Sequence, residues 1–379
     1  MNILITGGAG FIGSALARTL NRLGDTVTVL DNLSPQIHGT NPDESPLFKS
    51  LPESVRFIQG DVRRREDWRA ALEGQEAVIH LAAETGTGQS MYQIDHYVET
   101  NVRGTSLMLD LLAEARDAGH GTVRRVMVAS SRSIYGEGKY RGHAGYVYPG
   151  ARKASDMRLG LYDCLCPETG ERLELVPTDE TSKTHPSSVY GVTKLFQEQL
   201  VLTVCETLGI GAIALRFQNV YGPGQSLRNP YTGILSIFST LLLQGKDVNI
   251  FEDGLESRDF VYIDDIVESI VLALDATNKA GVAYNVGSGK ATSVLQVAQT
   301  LKRFYGATGA LNITGNFRLG DIRHNYADLK KIRKELDFEP KVSFAEGAMH
   351  FCKWVEEQTI SDAGYDQSVA EMRSRGLLN

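Results

Sequence analysis

Along the first half of the chain, short runs rich in β-branched residues alternate with longer stretches in which apolar residues recur every three to four positions. A short continuous apolar run suits a strand covered on both faces, whereas the three-to-four spacing lines one face of a helix. Strands are predicted at 2–6, 26–31, 55–59, 77–82, 123–130 and 211–217, and helices at 11–23, 102–118 and 190–208. The alternation is that of an α/β protein with a doubly wound parallel sheet, whose ligand crevice lies at the carboxyl ends of the strands. The second half is less regular, with Gly and Pro between Tyr221 and Gly233 and shorter elements beyond. It reads as a smaller, mixed α/β substrate-binding lobe capping that crevice. Residues 1–217 are assigned to the first lobe and 218–379 to the second, with segments in 257–290, a helix at 264–275 and a strand at 282–286, returning to the first.

The first strand runs into Gly7-Gly8-Ala9-Gly10-Phe11-Ile12-Gly13, where a helix opens. Glycines at 7, 10 and 13 allow the backbone close to a pyrophosphate, and the helix N-terminus at Phe11 and Ile12 then faces its negative charge. A tight strand-to-helix turn also uses glycine for purely structural reasons, so the context matters. Asp31 lies 18 positions beyond Gly13 at the end of the next strand, where a carboxylate accepts hydrogen bonds from ribose hydroxyls and repels a 2′-phosphate. With Asn32 beside it and no Lys or Arg in that turn, NAD is expected rather than NADP. Asp61 and Val62, after the third strand, are candidates for adenine contacts. Leu81, Ala82 and Ala83, after the fourth, are small or apolar where the backbone must pass the cofactor.

Tyr190 and Lys194 are four positions apart on a predicted helix, which places them on one face. A free phenol, with a pKa of about 10, is a poor base at neutral pH unless positive charge favours its anion. Lys194 and an oxidised nicotinamide are expected to supply that charge.

The formal net charge of −7 argues against a nucleic-acid partner, so any anionic ligand must meet a local basic site. The four cysteines are too few and too uneven for a disulfide framework, which points to a reducing, cytoplasmic setting. The apolar start lacks a basic leader and carries four glycines within residues 1–20, so it reads as strand, turn and helix rather than a targeting segment. No apolar run is long enough for a membrane span.

The segments ITGGAGFIG, GDV, HLAA, NVRGT, SSRSIYG, YGVTK, LRFQNVYGPGQ, RDFVYIDD and NVGSG occur in this order. In that arrangement the chain resembles the extended short-chain dehydrogenases that act on nucleotide sugars. The resemblance implies a Rossmann fold, bound NAD and a Ser131–Tyr190–Lys194 triad, with Asn101 among the cofactor-site residues. It also implies a homodimer formed through the helices at 102–118 and 190–208. Ser133, Asn219, Ile250, Phe251, Arg258 and Arg318 match substrate-contacting positions, and the arginines would pair with a diphosphate. In related 4,6-dehydratases an Asp-Glu pair follows the triad Ser or Thr, and related decarboxylases keep the Glu; here those positions hold Arg132 and Ser133. That departure favours epimerisation, expected at C4 through a transient keto sugar with the cofactor regenerated. A ketosugar reductase or dehydrogenase, a dehydratase and a decarboxylase are the alternatives.

Tyr135 and Tyr190 are 55 positions apart, so an insertion occupies about 137–177. It resembles an insert of members usually assigned as dTDP-L-rhamnose 4-epimerases, whose Cys and His pairs suggest a zinc ribbon. Here Thr169 stands where a second Cys would complete Cys166-x-x-Cys, leaving Cys164, Cys166 and His143, fewer than the usual four ligands. No bound metal is expected, and the insert reads as a lid or interface loop.

Overall fold

The structure is a computed structural model that describes residues 1–227, 229, 233–276, 281–359 and 365–378. The Gly- and Pro-containing stretch 221–233 therefore falls partly outside the described residues. Seven parallel strands form the main sheet: β1 (Asn2–Thr6), β2 (Thr26–Asp31), β3 (Arg56–Gln59), β4 (Ala77–His80), β5 (Arg125–Ser131), β6 (Gly211–Phe217) and β7 (Val282–Val286). Their order is β7-β6-β5-β4-β1-β2-β3. The order reverses between β1 and β4, so the loops after these strands part and leave a crevice at their carboxyl ends.

Alternate residues of the strands feed two cores. Ile3, Ile5, Ile79 and Leu215 pack on one face, and Leu4, Val78, Val128 and Ala214 on the other. Both faces are covered, which explains the near-continuous apolar runs. The first core continues without a break into Val248, Phe260, Val297 and Ile332 of the second half, so the two lobes share one hydrophobic body. The strand after residue 217 that rejoins the sheet is β7, in register with β6 from Val282↔Ile213 to Val286↔Phe217. Asp259 fixes the turn beyond it: its buried carboxylate accepts from the backbone N–H groups of Ser288 (2.7 Å) and Gly289 (3.0 Å), which ties RDFVYIDD to NVGSG.

Two features depart from the expected elements. The helix expected from 102 is preceded by a π-helical turn, Val98–Arg103, before the α-helix Gly104–Asp117. The wider turn carries Asn101, whose amide donates to Thr193 Oγ1 (3.0 Å) and to the Glu84 carbonyl (3.1 Å) and accepts from the Glu84 N–H (2.8 Å). The insertion, in turn, is anchored by charge. Its three short strands Tyr140–Gly142, Gly145–Val147 and Glu174–Leu175 make a small antiparallel sheet. Arg152 then reaches into the second lobe, where its guanidinium donates twice to Glu252 (2.8 Å each). Arg323 pairs with Glu252 (3.1 Å), Asp253 (2.7 Å) and the insert's Asp163 (3.0 Å). Among the described residues, Cys164, Cys166 and His143 form no ligand cluster; the acidic group Glu252, Asp253 and Glu256 does converge, but the first two are occupied by arginines. No helix among the described residues is long and apolar enough to cross a membrane.

Candidate active site

A cavity of about 590 Å³ runs along the crevice from the glycine-rich turn into the second lobe. Gly7, Gly10, Phe11, Ile12 and Gly13 form one end. Gly7 has φ +67°, and a Cβ there would lie 2.8 Å from the Ala82 nitrogen; a Cβ on Gly13 would collide with the Gly7 carbonyl oxygen. The turn is thus closed so tightly that only glycine fits, and the free N–H groups at the start of helix Phe11–Arg22 face the cavity. Asp31, Asn32, Val62, Leu81, Ala82 and Ala83 continue this wall. The Asp31 carboxylate already accepts from the N–H groups of Ala9 (3.0 Å) and Leu33 (2.8 Å), which aim it at the cavity. Burial pushes its pKa upward, opposed by those two N–H groups and by His38. These features suit a dinucleotide with an unsubstituted ribose.

Ser131, Ser133, Tyr190 and Lys194 meet at the middle of the cavity. Ser131 ends β5 and caps the 3₁₀ turn Arg132–Tyr135. Its oxygen accepts from the Ser133 backbone N–H (3.2 Å) and hydroxyl (2.9 Å), which leaves its own O–H for a ligand or for the Tyr190 phenol on the same cavity wall. Helix Val189–Leu208 delivers Tyr190: Ser188 caps it, accepting from the Gly191 N–H (3.1 Å), and the Tyr190 N–H donates to Ser90 Oγ (3.0 Å). Burial pushes the phenol above its ordinary pKa, while the Ser131 bond and the Arg132 charge pull it back.

Lys194 differs from expectation. Its ammonium donates to Gln197 Oε1 (2.6 Å) rather than to the phenol, and burial lowers its pKa to about 7. Gln197 in turn donates to Thr105 (2.9 Å) and contacts His80 (3.2 Å), whose other ring nitrogen meets Thr6 (2.7 Å). Burial and the nearby Lys194 hold His80 neutral, with a pKa near 3. This chain of polar groups beneath the sheet's carboxyl edge fixes the lysine's place.

The second lobe supplies Asn219, Phe251, Arg258 and Arg318 to the far end of the cavity. Arg318 lies over the Phe251 ring at 4.9 Å, a stacked guanidinium with one edge left for a ligand. Its Nε and Asn219 Oδ1 are buried without a hydrogen-bond partner among the described residues. Such orphaned groups are costly unless a ligand satisfies them. Arg258 donates to the carbonyls of Ser257 (2.8 Å), Ile322 (2.7 Å) and Arg323 (3.0 Å), and among the described residues no carboxylate bonds it.

Three expected residues lie off the cavity wall. Ile250 is fully buried in the second-lobe core, and only its carbonyl is used, accepting from Thr314 (2.9 Å). Asp61 is held back by Arg63 (2.6 Å); burial alone would raise its pKa, but these bonds bring it below the usual value. Asn101 stands behind the wall, bracing residue 84 against the Tyr190 helix. Conversely, Arg132, Gln218, Glu256 and Asp321 line the cavity without having been singled out, as do Met372 and Leu377 from the end of the chain. The last two arrive because the Leu319 N–H donates to the Leu377 carbonyl (2.9 Å), a pairing with no local sequence signal.

With this geometry in place, the comparisons with known proteins converge. Residues 3–149 and 163–287 match the NAD dependent epimerase/dehydratase family. The chain belongs to that family. A dTDP-L-rhamnose 4-epimerase of Burkholderia thailandensis is 37% identical over 364 residues, covering 94% of this chain and 95% of that one. The fold resembles a UDP-glucose 4-epimerase of Thermotoga maritima solved with UDP-glucose (TM-score 0.76, 29% identity, 94% of this chain and 99% of that one). It also resembles a UDP-glucuronic acid 4-epimerase of Bacillus cereus solved with UDP-glucuronic acid and NAD (TM-score 0.75, 26% identity, 94% and 99%). The unmatched residues between 149 and 163 include Arg152, the side chain that pins the insertion to the second lobe.

Proposed function

We propose that this protein is an NAD-dependent 4-epimerase of a nucleoside-diphosphate hexose. The observation that carries the reading is that Ser131 and Tyr190 line one cavity together with a glycine turn shaped for a pyrophosphate and with Arg258 and Arg318 of the second lobe. A sugar spanning from those arginines to Tyr190 presents one hydroxyl to the phenol. Bound NAD, held by Gly7, Gly10, Gly13 and Asp31, supplies a reversible hydride acceptor. Ser131 orients the hydroxyl, and Tyr190 takes its proton as the carbon is oxidised to a ketone, then returns it after the sugar has presented its other face. Lys194, which lines the same cavity, would steady the cofactor. Elimination is disfavoured because the two positions after Ser131 carry Arg132 and Ser133, neither of which is a carboxylate.

Purified protein incubated without added cofactor should interconvert a dTDP- or UDP-linked hexose and its C4 epimer, followed by NMR, with no net NADH. Release of a dehydrated keto sugar or of carbon dioxide as the main product would instead support a dehydratase or a decarboxylase.

We also propose that two copies pair through the Tyr190 helix in the cytoplasm, where the four free thiols stay reduced. Val192 and Phe196, one turn apart, are 39% and 51% exposed, and Ile94 and Val98 are exposed on the adjoining segment. Sedimentation at micromolar concentration should give a dimer for the native chain and a monomer for Phe196→Glu; a monomeric native chain would remove the proposal.

A further inference from the structure

Met372 and Leu377 reach the cavity wall from a segment beyond the family match, which ends at residue 287. The segment begins with the helix Tyr365–Ser374. Gly376, at φ +68°, then turns the chain back: its N–H donates to the Arg373 carbonyl (3.0 Å), and the Leu377 N–H donates to the Met372 carbonyl (2.9 Å). Such a glycine-terminated helix end commonly brings the residue after the glycine into apolar contact with the residue five positions before it. Here those residues are Leu377 and Met372, the pair that lines the cavity, and Met372 is only 4% exposed. A local turn thus makes one apolar surface from two side chains.

The segment is fastened to both lobes. On the first, Tyr92 donates to Glu371 (3.3 Å), and the Arg375 guanidinium lies 4.2 Å from the centre of the Tyr92 ring. The Met372 sulfur packs over Gly88, where a Cβ would come within 3.5 Å of it. Gly88 and Tyr92 flank Ser90, whose hydroxyl accepts from the Tyr190 N–H (3.0 Å), so this anchor adjoins the start of the Tyr190 helix. On the second lobe, the Leu377 carbonyl accepts from the Leu319 N–H (2.9 Å), and Leu378 pairs with Arg318 in a short antiparallel bridge. Gly88, Arg318 and Leu319 are themselves on the cavity wall. The segment therefore follows the span between Tyr190 and Arg318, the one assigned above to the sugar and its diphosphate.

We propose that residues 365–378 form the roof of the sugar subsite, with Met372 and Leu377 laid over the hexose and the two anchors holding the lobes closed on it. Retention of a ketone under this roof rests on the epimerase reading; the cover itself does not. When the hydroxyl proton passes to Tyr190 and the hydride to NAD, the products are a keto sugar and NADH. No covalent bond holds that ketone, and it must stay until the hydride returns. If it escapes, the protein is left with NADH and no oxidant to restart the cycle. An apolar cover opposes both its escape and the entry of water.

Two variants test the roof: a chain stopped after Gln358, and Gly376→Pro. Proline cannot adopt φ +68° and lacks the N–H that bonds Arg373, so it undoes the turn; a Cβ at this position meets nothing within 4 Å, so the rest of the fold should be undisturbed. The first readout needs no sugar. Acrylamide quenching of the fluorescence of NADH bound to the protein should be about threefold stronger in both variants, because a nicotinamide that must touch the reacting carbon is reached through the sugar subsite. The second uses the dTDP- or UDP-linked hexose that the native chain turns over. NADH left on the protein, and keto sugar released into solution and seen by NMR, should build up about tenfold faster per turnover, the factor expected when the burial of one apolar side chain is lost. Quenching equal to native in both variants overturns the roof. So does faster turnover without a build-up of NADH, which would make the segment a plug that substrate must displace. Should the stopped chain not fold, Gly376→Pro decides alone. If the native chain turns over no nucleotide-linked hexose, the epimerase reading fails, while the quenching still decides for or against the roof.

Discussion

Tyr190→Phe should lose turnover by about 10²–10⁴-fold, the range expected when a positioned acid–base group is removed, while substrate and NAD still bind. The phenol's oxygen is its only functional atom. The ring is half-buried and the backbone is held by Ser90, so the phenylalanine should occupy the same space. Ser131 would keep its bonds from Ser133, so the fold should be unperturbed. The check is single-turnover formation of NADH absorbance together with the steady-state rate on a substrate identified by NMR. Turnover within threefold of native would remove Tyr190 from the chemistry and with it the proposed mechanism.

Glu252→Ala should produce the largest loss of stability. The Glu252 carboxylate is 4% exposed and binds Arg152 and Arg323, which are 6% and 2% exposed. Arg323 retains Asp253, but Arg152 would keep only Glu137 at 3.2 Å and two carbonyls. Deleting one member of a buried ion pair typically costs about 3–5 kcal/mol, because the remaining charge stays desolvated without compensation. The cost should appear as an earlier denaturant midpoint, and Glu252→Gln, which retains an acceptor, should fall between the two. Activity should suffer as well, since the network positions Asp321, whose carbonyl accepts from Arg152 at 2.9 Å, on the cavity wall. A midpoint equal to that of the native chain would show that the insertion is not braced by these charges.

Much of this arrangement was legible along the chain. The bounds of β1, β2, β6 and β7 agree with the predicted strands to the residue, because strands covered on both faces must be apolar throughout and the turns between them must not. The glycine turn was equally readable, since its tightness excludes any Cβ. Tyr190 and Ser131 could be placed because each sits at the end of a regular element whose bounds are set locally. The π-turn at Val98–Arg103 was not readable: it follows from the demand that Asn101 reach both residue 84 and Thr193, which lie 17 and 92 positions away. The burial of the Ile250 side chain was unreadable for the same reason. A β-branched residue in a short strand can face a ligand or the core, and only the packing of Val248–Ile250 beside Leu311–Ile313 selects the core.

Taken by itself, the order of residues determined the doubly wound sheet, the glycine turn and the place of Tyr190 at the head of its helix, all of which depend on local spacing and steric limits. Only the tertiary structure decided where the charges act. Lys194 turned to a Gln197 that is itself held by Thr105 and His80, 92 and 117 positions away, and Arg152 driven onto Glu252, 100 positions away, each depend on groups distant in sequence. The reason is physical: backbone geometry is fixed by near neighbours, whereas the energy of a buried charge is fixed by whatever the fold brings within a few ångströms of it.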